Sequence, residues 1–200
     1  MNPIRLQDSD ALLVIDMQYD FLPGGSLGVP EGDQVLAPIN AAMAQFAARG
    51  LPVYASRDWH PENHSSFATR GGPWPPHCVA DTRGAAFSEE LALPADTVII
   101  SKADSEDVDA YSAFNGTALA DHLRGHGITR VFVCGLATDY CVLNTALDAC
   151  ANGFETVILP EAMRAVNVKP EDGERAIAQM REAGATTATL AELAEEAAAA

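Results

Sequence analysis

Positive charge is scarce in this chain. Twelve lysines and arginines stand against 28 aspartates and glutamates, a formal net charge of −16 over 200 residues. A nucleic-acid binder neutralises phosphates with a cationic face, and an anionic membrane asks for the same, so neither is an expected partner. Long apolar runs are also missing. The longest, Ala11–Leu12–Leu13–Val14–Ile15, falls far short of the roughly 18–20 residues that span a bilayer. No basic segment followed by a cleavage site opens the sequence, and the four cysteines, Cys78, Cys134, Cys141 and Cys150, include no C-x-x-C pair. A disulfide framework, a thioredoxin-type motif and a zinc ribbon are thereby excluded, and a reduced, cytoplasmic setting is expected.

What is present reads as one domain spanning residues 1–200, by length and by the lack of any linker-like stretch. Short β-branched runs alternate with helical patterns. Strands are expected over Ala11–Ile15, Pro52–Ala55, Thr97–Ile100, Arg130–Cys134 and Thr156–Leu159, with a weaker sixth at Thr186–Thr189. Near-continuous apolar runs of this kind suit parallel strands covered on both faces. Helices are expected near Gln34–Arg49, Thr117–His126, Asp139–Asn152 and Glu171–Ala183, each followed by or ending near a glycine able to take the left-handed C′ position. The predicted fold is therefore α/β: a three-layer α/β/α sandwich around a mostly parallel sheet of about six strands. The alanine-rich end, Ala197–Ala200, reads as helix and solubility. One long irregular stretch, Trp59–Pro94, interrupts the pattern, and a loop of that length in a compact domain usually serves function.

In open α/β sheets the ligand site lies beyond the carboxyl ends of the strands. Asp16 ends the first strand, Asp58 and His60 follow the second, Lys102 ends the third, and Cys141 lies just past the fourth. A turn aspartate or an exposed lysine would explain any of these singly, but not all of them on one edge. Lys102 is one of only two lysines, which suggests a task for a compact point charge rather than a planar guanidinium. Thr138 is a plausible N-cap that would put Cys141 in a first helical turn, where a thiol pKa falls and free N–H groups can hold an oxyanion. Cys134 reads as packing, Cys150 as structural, and Cys78, beside His77, is ambiguous. Asp58-x-His60 with His77 supplies two imidazoles and a carboxylate, a divalent-metal donor set. His64 is a further candidate, and His122 with His126 reads as a solvated helix face.

Six blocks then carry a resemblance. They are Val14-Ile15-Asp16-Met17-Gln18-Tyr19-Asp20-Phe21, Ser56-Arg57-Asp58-Trp59-His60-Pro61, Trp74-Pro75-Pro76-His77-Cys78, Ser101-Lys102-Ala103, Tyr111-Ser112-Ala113-Phe114 and Gly135-Leu136-Ala137-Thr138-Asp139-Tyr140-Cys141. Through them the chain resembles the isochorismatase-like cysteine hydrolases, most closely the branch that hydrolyses nicotinamide and pyrazinamide. The resemblance implies a catalytic triad of Asp16, Lys102 and Cys141, and one divalent metal ion on Asp58, His60 and His77, zinc first, with iron or manganese as alternatives. It implies a cis peptide at Leu136–Ala137, an oxyanion hole from the Ala137 and Cys141 amides, and Phe21 and Trp74 as walls around a flat ring. It further implies conversion of nicotinamide to nicotinate and ammonia through a cysteine thioester in NAD salvage, and leaves room for a homo-oligomer. The alternatives are a family member acting on another small amide and a non-catalytic metal-binding protein.

Overall fold

A computed structural model describes residues 4–194, so the expectation for Ala197–Ala200 lies outside the described residues. Six strands form one sheet: β1 (Asp10–Ile15), β2 (Val53–Asp58), β3 (Val98–Lys102), β4 (Arg130–Leu136), β5 (Glu155–Arg164) and β6 (Thr186–Thr187). Their order across the sheet is β3-β2-β1-β4-β5-β6, and every pairing is parallel. Four α-helices connect them, α1 (Leu36–Ala48), α2 (Leu119–Gly125), α3 (Leu143–Ala151) and α4 (Asp172–Glu182), and α5 (Leu190–Ala194) follows β6.

Side chains alternate across a strand, and β1 divides the apolar interior accordingly. Leu12 and Val14 join Ile39, Met43 and Phe46 of α1 and Leu193 of α5 in one core. Ala11, Leu13 and Ile15 point the other way, into a core with Leu123 of α2, Ala146 of α3 and Met180 of α4. These are the three predicted layers, and β1 is buried at all of its positions because it lies between them. Among the described residues, no helix is long and apolar enough to cross a membrane.

The expected elements are all present, with shifted boundaries. Strands β2 and β3 run on to Asp58 and Lys102, so both polar residues are the last rungs of a ladder, paired with each other. The fifth strand is longer than expected and passes through Pro160. Proline is tolerated there because the β4–β5 register shifts between Val133 and Gly135, and β6 pairs only with Val157 and Ile158. Helix α1 begins only after a 3-10 turn at Gly32–Val35. Thr138 is not an N-cap: Ala137 holds the cap position with extended backbone, and Thr138–Val142 form a turn of π-helix before α3.

Sequence reading did not anticipate one buried ion pair. Arg130 and Asp10, directly opposite in the β1–β4 register, form a two-pronged bond, Nε to Oδ1 at 2.8 Å and Nη2 to Oδ2 at 2.6 Å. Asp10 Oδ2 also accepts the Gln7 amide at 2.8 Å. Removing one partner strands the other charge in a dry place. Arg130→Ala should therefore lower the unfolding free energy by roughly 3–5 kcal/mol in urea titrations. A change below about 0.5 kcal/mol would show that the pair does not hold the central strands together.

Candidate active site

The catalytic edge is assembled from strand ends. Asp16 follows β1 in a left-handed conformation, φ 50°, an unusual state for a non-glycine residue and one that aspartate tolerates better than most. Its carbonyl accepts the Gln18 amide at 2.8 Å, so the chain turns sharply there and leaves the carboxylate over the end of the sheet. Asp58 and Lys102 close β2 and β3. Cys141 comes from the π turn after β4. Gly135, at φ 115°, allows that approach: a Cβ there would lie 2.2 Å from the Ile15 carbonyl oxygen. The next peptide bond, Leu136–Ala137, is cis, as the resemblance implies.

These four side chains meet around one ammonium. Lys102 Nζ lies 2.9 Å from Asp16 Oδ2 and 3.5 Å from Cys141 Sγ. It donates to the Ala110 carbonyl at 3.2 Å and also contacts Asp58 Oδ1. All four residues are buried. Ser56 Oγ donates to Asp16 Oδ1 at 2.6 Å. Asp16 Oδ2 pairs with the ammonium on the side of Asp16 that faces Cys141.

Burial sets the protonation states. Desolvation disfavours the Lys102 ammonium, but Asp16 and Asp58 outweigh it and hold its pKa well above the ordinary lysine value. For Asp16, desolvation wins: its pKa is raised, against the lowering pull of Lys102, with the Asp58 charge adding to the rise. For Asp58, desolvation is overcome chiefly by the Lys102 ammonium, and its pKa falls. The Cys141 thiol is pushed well above its usual value, chiefly by burial, with Lys102 opposing and the Asp16 and Asp58 charges adding to it. This corrects the expectation of a helix-lowered thiol. A dry position beside two carboxylates keeps the proton on sulfur until a base takes it.

Asp58, His60 and His77 each offer a ligand atom, all within 4.8 Å of one another. In both imidazoles Nδ1 faces a backbone carbonyl, Ala103 O at 3.1 Å from His60 and Pro75 O at 2.8 Å from His77. Only an N–H satisfies a carbonyl, so Nε2 of each ring is left with its lone pair for a ligand. Burial lowers the His77 pKa, which further favours the neutral, ligating form. The donor set fits a divalent metal ion. His64 does not join it. Its Nε2 lies 3.0 Å from Val108 O and its Nδ1 2.7 Å from Ser66 Oγ, so both nitrogens and the Ser66 hydroxyl are engaged with each other or with backbone. A second cluster of Asp16, Asp58 and Cys141 also has metal-ligand spacing, but the Lys102 ammonium already serves all three.

A cavity of about 310 Å³ opens onto these groups. Phe21 and Trp74 line it as expected, together with Asp58, His77, Ala137 and Cys141. Tyr111, Tyr140, Leu136 and Val166 line it too and had no role assigned from sequence. Trp74 Nε1 donates to the Tyr111 hydroxyl at 3.0 Å, and its ring meets Tyr140 edge-on at 5.5 Å. Gln18 is another unassigned residue. Its amide donates to the Asp58 and Ala85 carbonyls at 2.7 and 2.9 Å and accepts the Asp58 N–H at 2.8 Å, fastening the end of β2. Both tyrosines and Gln18 stand inside the matching sequence blocks, which was the available signal. The remaining candidates belong to neither cluster. Cys134 is sealed in β4, its Sγ 3.6 Å from Leu13 O. Cys78 is buried and Cys150 half-buried, both as free thiols. His122 and His126 stack on the exposed end of α2.

Comparison with known proteins agrees with this geometry. The Isochorismatase domain matches residues 10–192. The nicotinamidase of Escherichia coli (strain K12) is 41% identical over 203 residues, covering 91% of this chain and 95% of that protein. The pyrazinamidase of Pyrococcus horikoshii, solved in complex with zinc, superposes with a TM-score of 0.87 at 52% identity, covering 90% of this chain and 99% of its own. PnC1 from L. infantum, solved in complex with nicotinate, gives a TM-score of 0.88 at 40% identity, covering 95% and 98% of the two chains. Resemblance across nearly the full length, in sequence and in fold, places the chain in the isochorismatase family.

Proposed function

We propose that this protein is a nicotinamidase: it hydrolyses nicotinamide, and pyrazinamide as a close analogue, to the carboxylate and ammonia. One observation carries the reading. Lys102 Nζ reaches both Asp16 Oδ2 and Cys141 Sγ beside a ring-sized aromatic cavity. In a family that includes the Escherichia coli nicotinamidase, that arrangement suits cysteine-mediated amide hydrolysis.

Cys141 is the nucleophile. Asp16, with its raised pKa and its carboxylate within reach of the thiol, accepts the thiol proton while Lys102 stabilises the resulting ionised pair. The sulfur bonds to the carboxamide carbon, and the negative charge moves to the carbonyl oxygen. The Ala137 and Cys141 amides hold that oxygen. Collapse breaks the carbon–nitrogen bond as Asp16 returns the proton to nitrogen, releasing ammonia and leaving a thioester. A water molecule, deprotonated by Asp16, then attacks the thioester, and the sulfur leaves and regains the proton.

Phe21 and Trp74 confine the flat ring. Asp58, His60 and His77 hold a divalent ion, for which we take zinc because the Pyrococcus horikoshii relative was solved with zinc. When bound, that ion supplies a Lewis-acidic anchor for a ring nitrogen. The protein itself fixes the tautomers that make both histidines ligands. Nicotinate is a carboxylate that nucleotide synthesis can reuse, so the reaction belongs to NAD salvage. Four free cysteines suit a reducing cytoplasm.

Three measurements test the assignment. Cys141→Ala and Asp16→Asn should each lower nicotinamide turnover by roughly 10³-fold or more while circular dichroism stays native. Retained turnover in the cysteine variant overturns the nucleophile assignment. His60→Ala should lower bound metal, measured by elemental analysis, and weaken nicotinate binding by about tenfold or more in calorimetry. Unchanged metal content would remove His60 from the ligand set. Ammonia release across a panel of small amides should favour nicotinamide. A strong preference for an aliphatic amide would instead select the rival family activity.

A further inference from the structure

Asp139 stands two residues before the nucleophile, on the π turn that carries Cys141. Its two carboxylate oxygens accept two consecutive backbone amides from the loop after β5. Val166 N–H donates to Oδ1 and Asn167 N–H to Oδ2, each at 2.9 Å. A carboxylate gripping two amides has a defined orientation as well as charge-assisted strength. The grip begins where the sheet ends: the last rung between β4 and β5 pairs Leu136 with Arg164, and Asp139 extends the connection past it.

The far side of that loop is anchored as well. Asn167 adopts a left-handed φ of 54°, and its Oδ1 accepts the Gly173 amide in the first turn of α4 at 2.9 Å. A Cβ on Gly173 would come within 2.6 Å of the Ala165 Cβ, so helix and loop are closely apposed. Val166, between these two fixings, lines the cavity that also holds Cys141 and Tyr140.

We propose that Asp139 is a positioning and specificity-determining residue that ties the Val166 wall to the turn bearing the nucleophile. The distance from that wall to the sulfur then limits the site to flat carboxamides with an unsubstituted ring on the Val166 side. This rests on the amidase reading above. In a preformed apolar pocket, a single methyl group of mismatch changes kcat/KM by roughly 10–200-fold, so modest movement of the wall has a readable effect.

The experiment compares nicotinamide with a ring-methylated nicotinamide, using the metal-loaded full-length enzyme and its Asp139→Ala, Asp139→Asn and Val166→Ala variants. Active sites are counted by alkylation of Cys141. Asp139→Ala should raise KM for nicotinamide by about tenfold, with a smaller change in kcat per active site, and should erode discrimination against the methylated ring by about tenfold. Asn keeps one acceptor and should fall between. Val166→Ala should reproduce the lost discrimination without loss of thermal stability, and it carries the test should Asp139→Ala fail to fold. Lower stability with unchanged KM and discrimination per active site would reduce Asp139 to a structural tie and overturn the proposal. Unchanged discrimination in Val166→Ala overturns it as well. Wild-type enzyme that turns over neither compound would overturn the amidase reading itself, and this inference with it.

Discussion

One buried ammonium organises this molecule's chemistry. Lys102 is surrounded by two carboxylates, a thiol and a backbone carbonyl at the water-excluded end of a parallel sheet. Buried charge is tolerated only when it is compensated, and here each partner compensates the others. Without the ammonium, Asp16 and Asp58 would face each other unneutralised. Without either carboxylate, the ammonium would lose the interactions that outweigh its desolvation. Three strand ends and one turn, far apart in sequence, are therefore held to a common point by electrostatics as well as by backbone pairing.

The same cluster places two carboxylates in different chemical states. Asp58 lies against the Lys102 ammonium, which holds its pKa low and so favours the ionised form that metal ligation would require. Asp16 has one oxygen occupied by Ser56 and a pKa raised by burial, so it can receive and carry a proton. Environment rather than residue type separates the two roles. Gln18 and the carbonyls of Ala103 and Pro75 do corresponding work for the candidate metal ligands, fixing a strand end and two ring tautomers.

Much of the fold was legible because buried parallel strands leave short, β-branched runs that differ in length and period from the helices between them. Pro52–Ala55 was found on that basis, but its continuation to Asp58 was not, since a charged residue looks like a position beyond the strand until a ladder partner such as Lys102 is known. Pro160 marked a boundary that a shift in strand register removed. Thr138 had the chemistry of an N-cap, but Ala137 holds that position and Thr138–Val142 form a π turn with no side-chain cap. Tyr111, Tyr140 and Val166 come from three separate segments, and no local pattern indicates that they share one cavity.

Composition and periodicity alone determined the layered α/β architecture and the edge of the sheet on which an acid, an amine and a sulfur would gather, and the charge balance set an expectation against polyanionic partners. These follow from strand period, from charge and from the rule that ligands bind beyond strand carboxyl ends, all of which act locally or in sum. Only the tertiary structure decided that burial raises the thiol's pKa, that His64 is engaged by Ser66 and Val108 while His77 keeps its Nε2 beside His60, and that Asp139 grips the loop carrying Val166. Protonation depends on burial, and ligation depends on which carbonyl faces each ring. Both are properties of neighbours brought from elsewhere in the chain, which no single stretch of sequence contains.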